Sequence, residues 1–75
     1  MIKDSKEVLA TLGQTLKKYR EQAKLSQDKL AAKCDTEQAD ISRIEAGLLN
    51  PGVLVIVDLA RGLGITPATL LEEIQ

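Results

Sequence analysis

The chain has 75 residues, enough for one domain (1–75) and too few for a large core. Hydrophobic residues make up 44% and charged residues 28%, the balance of a folded chain rather than a disordered one. There is no His, Trp or Phe, with one Cys (Cys34) and one Tyr (Tyr19), so histidine relays and thiolate–imidazole metal clusters are excluded.

From that inventory we expect no catalytic residue, no cofactor, no metal and no small-molecule ligand; the chain reads as a non-enzyme. A lone cysteine fits a reducing compartment. Met1-Ile2-Lys3-Asp4-Ser5 lacks the apolar core of a signal peptide. The longest apolar run, Val53 to Val57, falls far short of the roughly 20 residues that span a bilayer. A cytoplasmic location with no membrane partner is the expectation. The net charge of −1 is divided unevenly. Residues 1–34 hold eight basic and four acidic side chains, and residues 35–75 hold two basic and seven acidic. A positive field must therefore come from the first half.

Five helices and no strand are predicted. The first runs from about Ser5 to Ala23, with Leu9, Leu12, Leu16, Tyr19 and Ala23 as its apolar stripe. Asp4 and Glu7 have capping-box spacing, which puts its start at Asp4 or Ser5. The second begins with Ser26 as N-cap, sets Leu25 against Leu30, turns Leu30, Ala31 and Cys34 inward and ends near Cys34. The third covers about Glu37 to Ala46, with Asp35 or Thr36 as cap, Ile41 and Ile44 buried, and Gly47 as the stop. The fourth starts between Asn50 and Gly52, buries Val53, Ile56, Val57, Ala60 and Leu63, and closes at Gly62 or Gly64. The fifth opens with Thr66 and Pro67 and docks through Leu70, Leu71 and Ile74.

The second and third helices are separated by a three- to four-residue turn, which is helix-turn-helix spacing, with the core of the motif at about 26–46. Small Ala31 allows close packing, and Ile41 with Ile44 leaves the far side of the third helix free. The stretches Leu12-Gly13, Leu16, Tyr19-Arg20, Leu25-Ser26-Gln27, Leu30-Ala31, Ile41-Ser42-Arg43-Ile44-Glu45, Gly47, Asn50-Pro51, Leu59-Ala60 and Leu63-Gly64-Ile65 resemble the Cro-type, phage-repressor-like XRE family of helix-turn-helix regulators. The resemblance spans roughly Leu12 to Leu71 and implies an all-α, five-helix, lambda-repressor-like DNA-binding domain.

In that family the third helix enters the major groove. The resemblance thus places Gln38, Ala39, Asp40 and Arg43 at base edges. Gln suits adenine N6/N7, Arg suits guanine O6/N7, Asp accepts from cytosine N4 and Ala meets a thymine methyl. The alternative reading of these four is the solvated side of an amphipathic helix. Ser26 and Gln27, at a helix N-terminus, match the family's phosphate contacts, and Lys29, Ser42 and Lys17 are candidates beside them. Ser26 also serves as a plain N-cap. Arg20 and Glu45 stand where relatives form a structural ion pair; two unrelated surface charges are the alternative.

Three positions depart from the pattern. Asp35 replaces the usual turn glycine and is expected to tolerate left-handed geometry. Thr36 replaces a small apolar residue, and Glu37 replaces a Ser/Thr cap. Glu37 and Asp40 also bring acid to the presumed reading side. The loop after the third helix has no basic residue. Leu48, Leu49, Leu54 and Val55 exceed what one small core needs; with Leu71 and Ile74 they read as the interface of an isologous homodimer. Extra core filling is the alternative. The function expected is sequence-specific binding of double-stranded DNA at a palindromic operator, as a homodimer, in a repressor, activator, restriction–modification controller or antitoxin. A protein-interaction module on the same fold with weak DNA affinity is the alternative.

Overall fold

A computed structural model describes residues 4–74. Met1, Ile2 and Lys3, which belong to the opening read as lacking a signal peptide, lie outside the described residues. The helices are α1 (Ser5–Gln22), α2 (Gln27–Ala32), α3 (Gln38–Glu45), α4 (Val53–Leu63) and α5 (Pro67–Leu70), with no strand among the described residues. None of the helices is long and apolar enough to cross a membrane.

Side chains close three of the helix starts. The Asp4 carboxylate accepts from the Glu7 N–H at 2.8 Å, the Ser26 hydroxyl from the Lys29 N–H at 3.1 Å and the Thr66 hydroxyl from the Thr69 N–H at 3.2 Å. Each satisfies a backbone donor that the first turn leaves unpaired. Pro67 sits in the first turn of α5, where its missing N–H costs nothing.

The core gathers one stripe from each helix: Leu12 and Leu16 from α1, Leu30 from α2, Ile41 and Ile44 from α3, Ile56, Leu59 and Ala60 from α4, and Leu70 from α5. Leu25, Ala31, Cys34, Leu49, Val55, Leu63, Ile65 and Ile74 pack around it. Two glycines mark where helices approach most closely. A Cβ on Gly13 would collide with the Ile44 carbonyl oxygen and lie 2.7 Å from that of Glu45, so α1 and the end of α3 touch backbone to backbone. At Gly62 it would meet the Leu30 side chain at 3.1 Å and Cys34 at 3.3 Å.

Several expectations are corrected. The α1 stripe ends before Ala23, which caps the helix and is exposed. Val53 is 77% exposed because the first residue of α4 projects past the edge of the core. α2 stops at Ala32, leaving Cys34 in the following turn. Gly62 lies inside α4, and left-handed Gly64 (φ 71°) closes it.

Neither Asp35 nor Thr36 caps α3. Glu37 occupies that position without a side-chain bond, because Asp58 of α4 engages the turn instead. The left-handed residue is not Asp35. Among the described residues Lys24 is the one non-glycine at positive φ (60°), immediately after the C-cap of α1.

Candidate nucleic-acid interface

The third helix is anchored on its inner side and free on its outer side. Ile41 and Ile44 are fully buried, whereas Gln38, Ala39 and Arg43 are exposed and Asp40 and Ser42 are half-exposed. At its far end the Arg20 guanidinium donates to the Glu45 carboxylate from Nε at 2.6 Å and Nη2 at 2.8 Å, and to the Leu25 carbonyl from Nη1 at 2.8 Å. The Arg20 and Glu45 side chains are only 11% and 6% exposed. The hydrogen bond to Glu45 outweighs burial and raises the Arg20 pKa. This pair fixes α3 against α1 at the point where Gly13 allows contact.

The N-terminus of α2 lies beside that of α3. Gln27 Nε2 donates to Glu45 Oε1 at 3.1 Å, and Gln38 Nε2 donates to Gln27 Oε1 at 2.8 Å. One hydrogen-bonded chain therefore joins Arg20, Glu45, Gln27 and Gln38 across three helices. Ser26 is exposed and caps α2, and Lys29 is exposed on its first turn. One turn further along α3, Arg43 Nη1 donates to Asp40 Oδ1 at 2.7 Å, a surface pair between two of the residues proposed to read bases.

The structure thus sets Gln27 against Gln38, with Ser26 and Lys29 exposed beside Gln27 in the first turn of α2. Lys17 lies instead on the outer surface of α1, in a shallow depression lined by α1 residues alone.

The flank of the motif that faces α4 is acidic. A groove of about 410 Å³ between the α2–α3 turn and α4 is lined by Asp35, Glu37, Asp40 and Asp58 beside Leu54 and Val55. Asp58 accepts from the Asp35 N–H at 3.0 Å and from the Thr36 hydroxyl at 2.6 Å. Burial pushes its pKa up, but the bonds from the Thr36 hydroxyl and the Asp35 N–H prevail and lower it. Burial raises the Cys34 pKa, so this thiol is held in its neutral form.

The surplus apolar residues divide into two groups. Leu48, Leu54 and Leu71 are 78%, 84% and 42% exposed, and Val53 joins them. Leu49, Val55 and Ile74 pack against the protomer's own core. At the chain end, Tyr19 donates a short hydrogen bond to Glu72, and Lys18 lies 3.4 Å from the same carboxylate.

Asp58, the Gln27 chain and the Tyr19–Glu72 contact were not foreseen. Asp58 carried a signal, as the single charged residue in the apolar stretch Val53-Leu54-Val55-Ile56-Val57-Asp58-Leu59-Ala60. The other two join residues 18 and 53 positions apart, with nothing local to announce them.

Two short helices at the motif's spacing, the second anchored inward and open outward, define a helix-turn-helix protein. The Helix-turn-helix domain family model matches residues 11–73, and the chain belongs to that family. It is 38% identical over 64 residues to control protein C.MunI of Mycoplasma sp, covering 84% of this chain and 86% of that protein. An uncharacterized HTH-type transcriptional regulator of Sinorhizobium fredii is 42% identical over 52 residues, 69% of this chain; the chain spans only 26% of its length.

Among solved structures, the restriction-modification controller protein C.AhdI from Aeromonas hydrophila superposes with a TM-score of 0.81 at 32% identity, over 83% of this chain and 94% of that one. The controller C.Esp1396I, solved as a tetramer on its natural 35 base-pair operator, does so with a TM-score of 0.79 at 25% identity, over 87% and 86%.

Proposed function

We propose that this chain is a transcriptional regulator of the restriction–modification controller kind, binding double-stranded DNA at a palindromic operator as a homodimer in the cytoplasm. The observation that carries the reading is α3 itself. It is pinned by Ile41, Ile44 and the Arg20–Glu45 pair, yet Gln38, Ala39 and Arg43 remain open to solvent. Kinship with C.MunI and C.AhdI, and the operator complex of C.Esp1396I, support it.

In this reading Gln38, Ala39, Asp40 and Arg43 meet base edges, while Ser26, Gln27, Lys29 and Ser42 meet phosphates around the α2 N-terminus. Lys17 adds positive field from α1 without sharing that surface. Dimerisation uses Leu48, Leu54 and Leu71 with the neighbouring Val53; Leu49, Val55 and Ile74 support it from below. The activity is binding rather than catalysis, consistent with a chain that contains no histidine and one partly buried thiol.

The acidic groove beside α3 favours a second reading, a protein-binding module with weak DNA affinity. Titration of a duplex with the chain at rising salt separates the two. DNA binding predicts a steep loss of affinity with salt, and Arg43→Ala weakens binding by roughly 1–3 kcal/mol at particular base pairs. Affinity that is already negligible at low salt favours the protein-binding module.

A further inference from the structure

We infer that Asp58 of α4 is a positioning residue for DNA recognition: by holding the α2–α3 turn it fixes the angle at which α3 meets a duplex. The inference rests on the DNA-binding reading of α3.

The two ends of α3 are fastened differently. Its far end is secured by the Arg20–Glu45 pair and by the backbone contact at Gly13. Its near end has no fastening of its own, because the N-cap Glu37 makes no side-chain bond. The helix has eight residues and is therefore about 12 Å long. A pivot of roughly 10° about the far end would carry its first turn about 2 Å sideways. Contacts to base edges need their groups held to within about 0.5 Å. Such a tilt would forfeit them while leaving the helix folded.

Asp58 supplies the missing restraint. Its Oδ1 and Oδ2 each accept from the Asp35 N–H at 3.0 Å, and Oδ2 also accepts from the Thr36 hydroxyl at 2.6 Å. One carboxylate thus grips two successive residues of the turn that leads into α3. Bonds to an ionised acceptor are roughly twice as strong as neutral ones. Thr36 is 8% exposed, so water has little access to compete for its hydroxyl.

The grip is made from a fixed support. Leu59 and Ala60, next to Asp58, are buried, and one turn further on Gly62 seats α4 close against Leu30 and Cys34. The bonds also hold against like charge, since Asp35, Glu37 and Asp40 line the same groove.

The test compares each full-length variant's affinity for the duplex site that the native chain enriches with its affinity for random duplex. Partial unfolding removes active protein and lowers both affinities by the same factor. Their ratio therefore reports the angle of α3 and not the folded fraction. Thr36→Val deletes the hydroxyl and alters no charge, whereas Thr36→Ser keeps it. The ratio should fall several-fold in Thr36→Val and by about tenfold in Asp58→Ala. In Thr36→Ser it should stay within about twofold of the native value. The two Thr36 variants decide the matter even where Asp58→Ala folds poorly. A native ratio in Thr36→Val, or a loss in Thr36→Ser as large as that in Thr36→Val, overturns the inference alone. Failure of the native chain to enrich any site overturns the DNA-binding reading, and the inference with it.

Discussion

Arg20 and Glu45 lie 25 residues apart in sequence and meet through two hydrogen bonds, of 2.6 and 2.8 Å, that tie the last turn of α1 to the last turn of α3. Both side chains are almost fully enclosed, so neither partner can substitute water for the other. Breaking such a pair from one side leaves an enclosed charge uncompensated, at a cost of about 3–5 kcal/mol. Glu45→Ala falls toward the lower end, because the Leu25 carbonyl still accepts from Arg20. In a domain with roughly 5–10 kcal/mol of stability this is a large fraction. Thermal melting of the variant is expected to fall by more than about 10 °C; an unchanged midpoint would remove the pair from the account.

Asp58 makes the α2–α3 turn sensitive to acid. Its folded-state pKa is depressed below the ordinary value, since the bonds from Thr36 and Asp35 to its carboxylate outweigh burial. A depressed carboxylate contributes stability that is fully present above its unfolded pKa and is lost as pH falls through the folded one. Asp58→Ala should therefore cost about 2 kcal/mol at neutral pH. The gap between variant and native chain should narrow below about pH 4. Urea unfolding across pH 2–7 checks this, and a gap that does not change with pH contradicts it.

Lys24 sits at φ 60°, a conformation that costs a residue with a Cβ roughly 1–2 kcal/mol. Its side chain is exposed, so removing it forfeits little packing. Lys24→Gly is expected to stabilise the fold by up to about 1 kcal/mol, measured by denaturant midpoint. A loss of stability would show that the lysine side chain contributes more than its backbone strain costs.

The fold was largely legible because its signals are local. Caps at Asp4, Ser26 and Thr66, the Thr66-Pro67 start and apolar spacing within each helix all operate over three or four residues. What stayed hidden depends on residues far apart in the chain. The capping of α3 was misassigned because Asp58, more than twenty positions later, takes the turn that Asp35 or Thr36 was expected to close. A left-handed residue is expected at Asp35, yet the one non-glycine at positive φ among the described residues is Lys24, a residue with no propensity that marks it. Val53 fits the α4 period but overshoots the core, because periodicity gives a side and not where along the helix the core ends. At the interface, exposure along α3 followed from Ile41 and Ile44, whereas the chain linking Glu45, Gln27 and Gln38 required three helices to be in place.

The exposed apolar residues predict a dimer that can be dissolved without unfolding the protomer. Leu48 and Leu54 are 78% and 84% exposed, so Leu48→Ser with Leu54→Lys should leave the fold within about 0.5 kcal/mol of the native chain. Sedimentation at tens of micromolar should show a dimer for the native chain and a monomer for the double variant. Val55→Ser, by contrast, should lower stability, because Val55 packs against the core. A native chain that is monomeric at these concentrations contradicts the dimer.

Selection of binding sites from a random duplex library tests the central claim most directly. If α3 of each protomer reads one half-site, the enriched sequence is a palindrome with half-site centres about one helical turn, roughly 34 Å, apart. Enrichment should vanish in Arg43→Ala with Gln38→Ala while the variant still melts as a folded protein. No enrichment by the native chain, or a site indifferent to both side chains, contradicts the account.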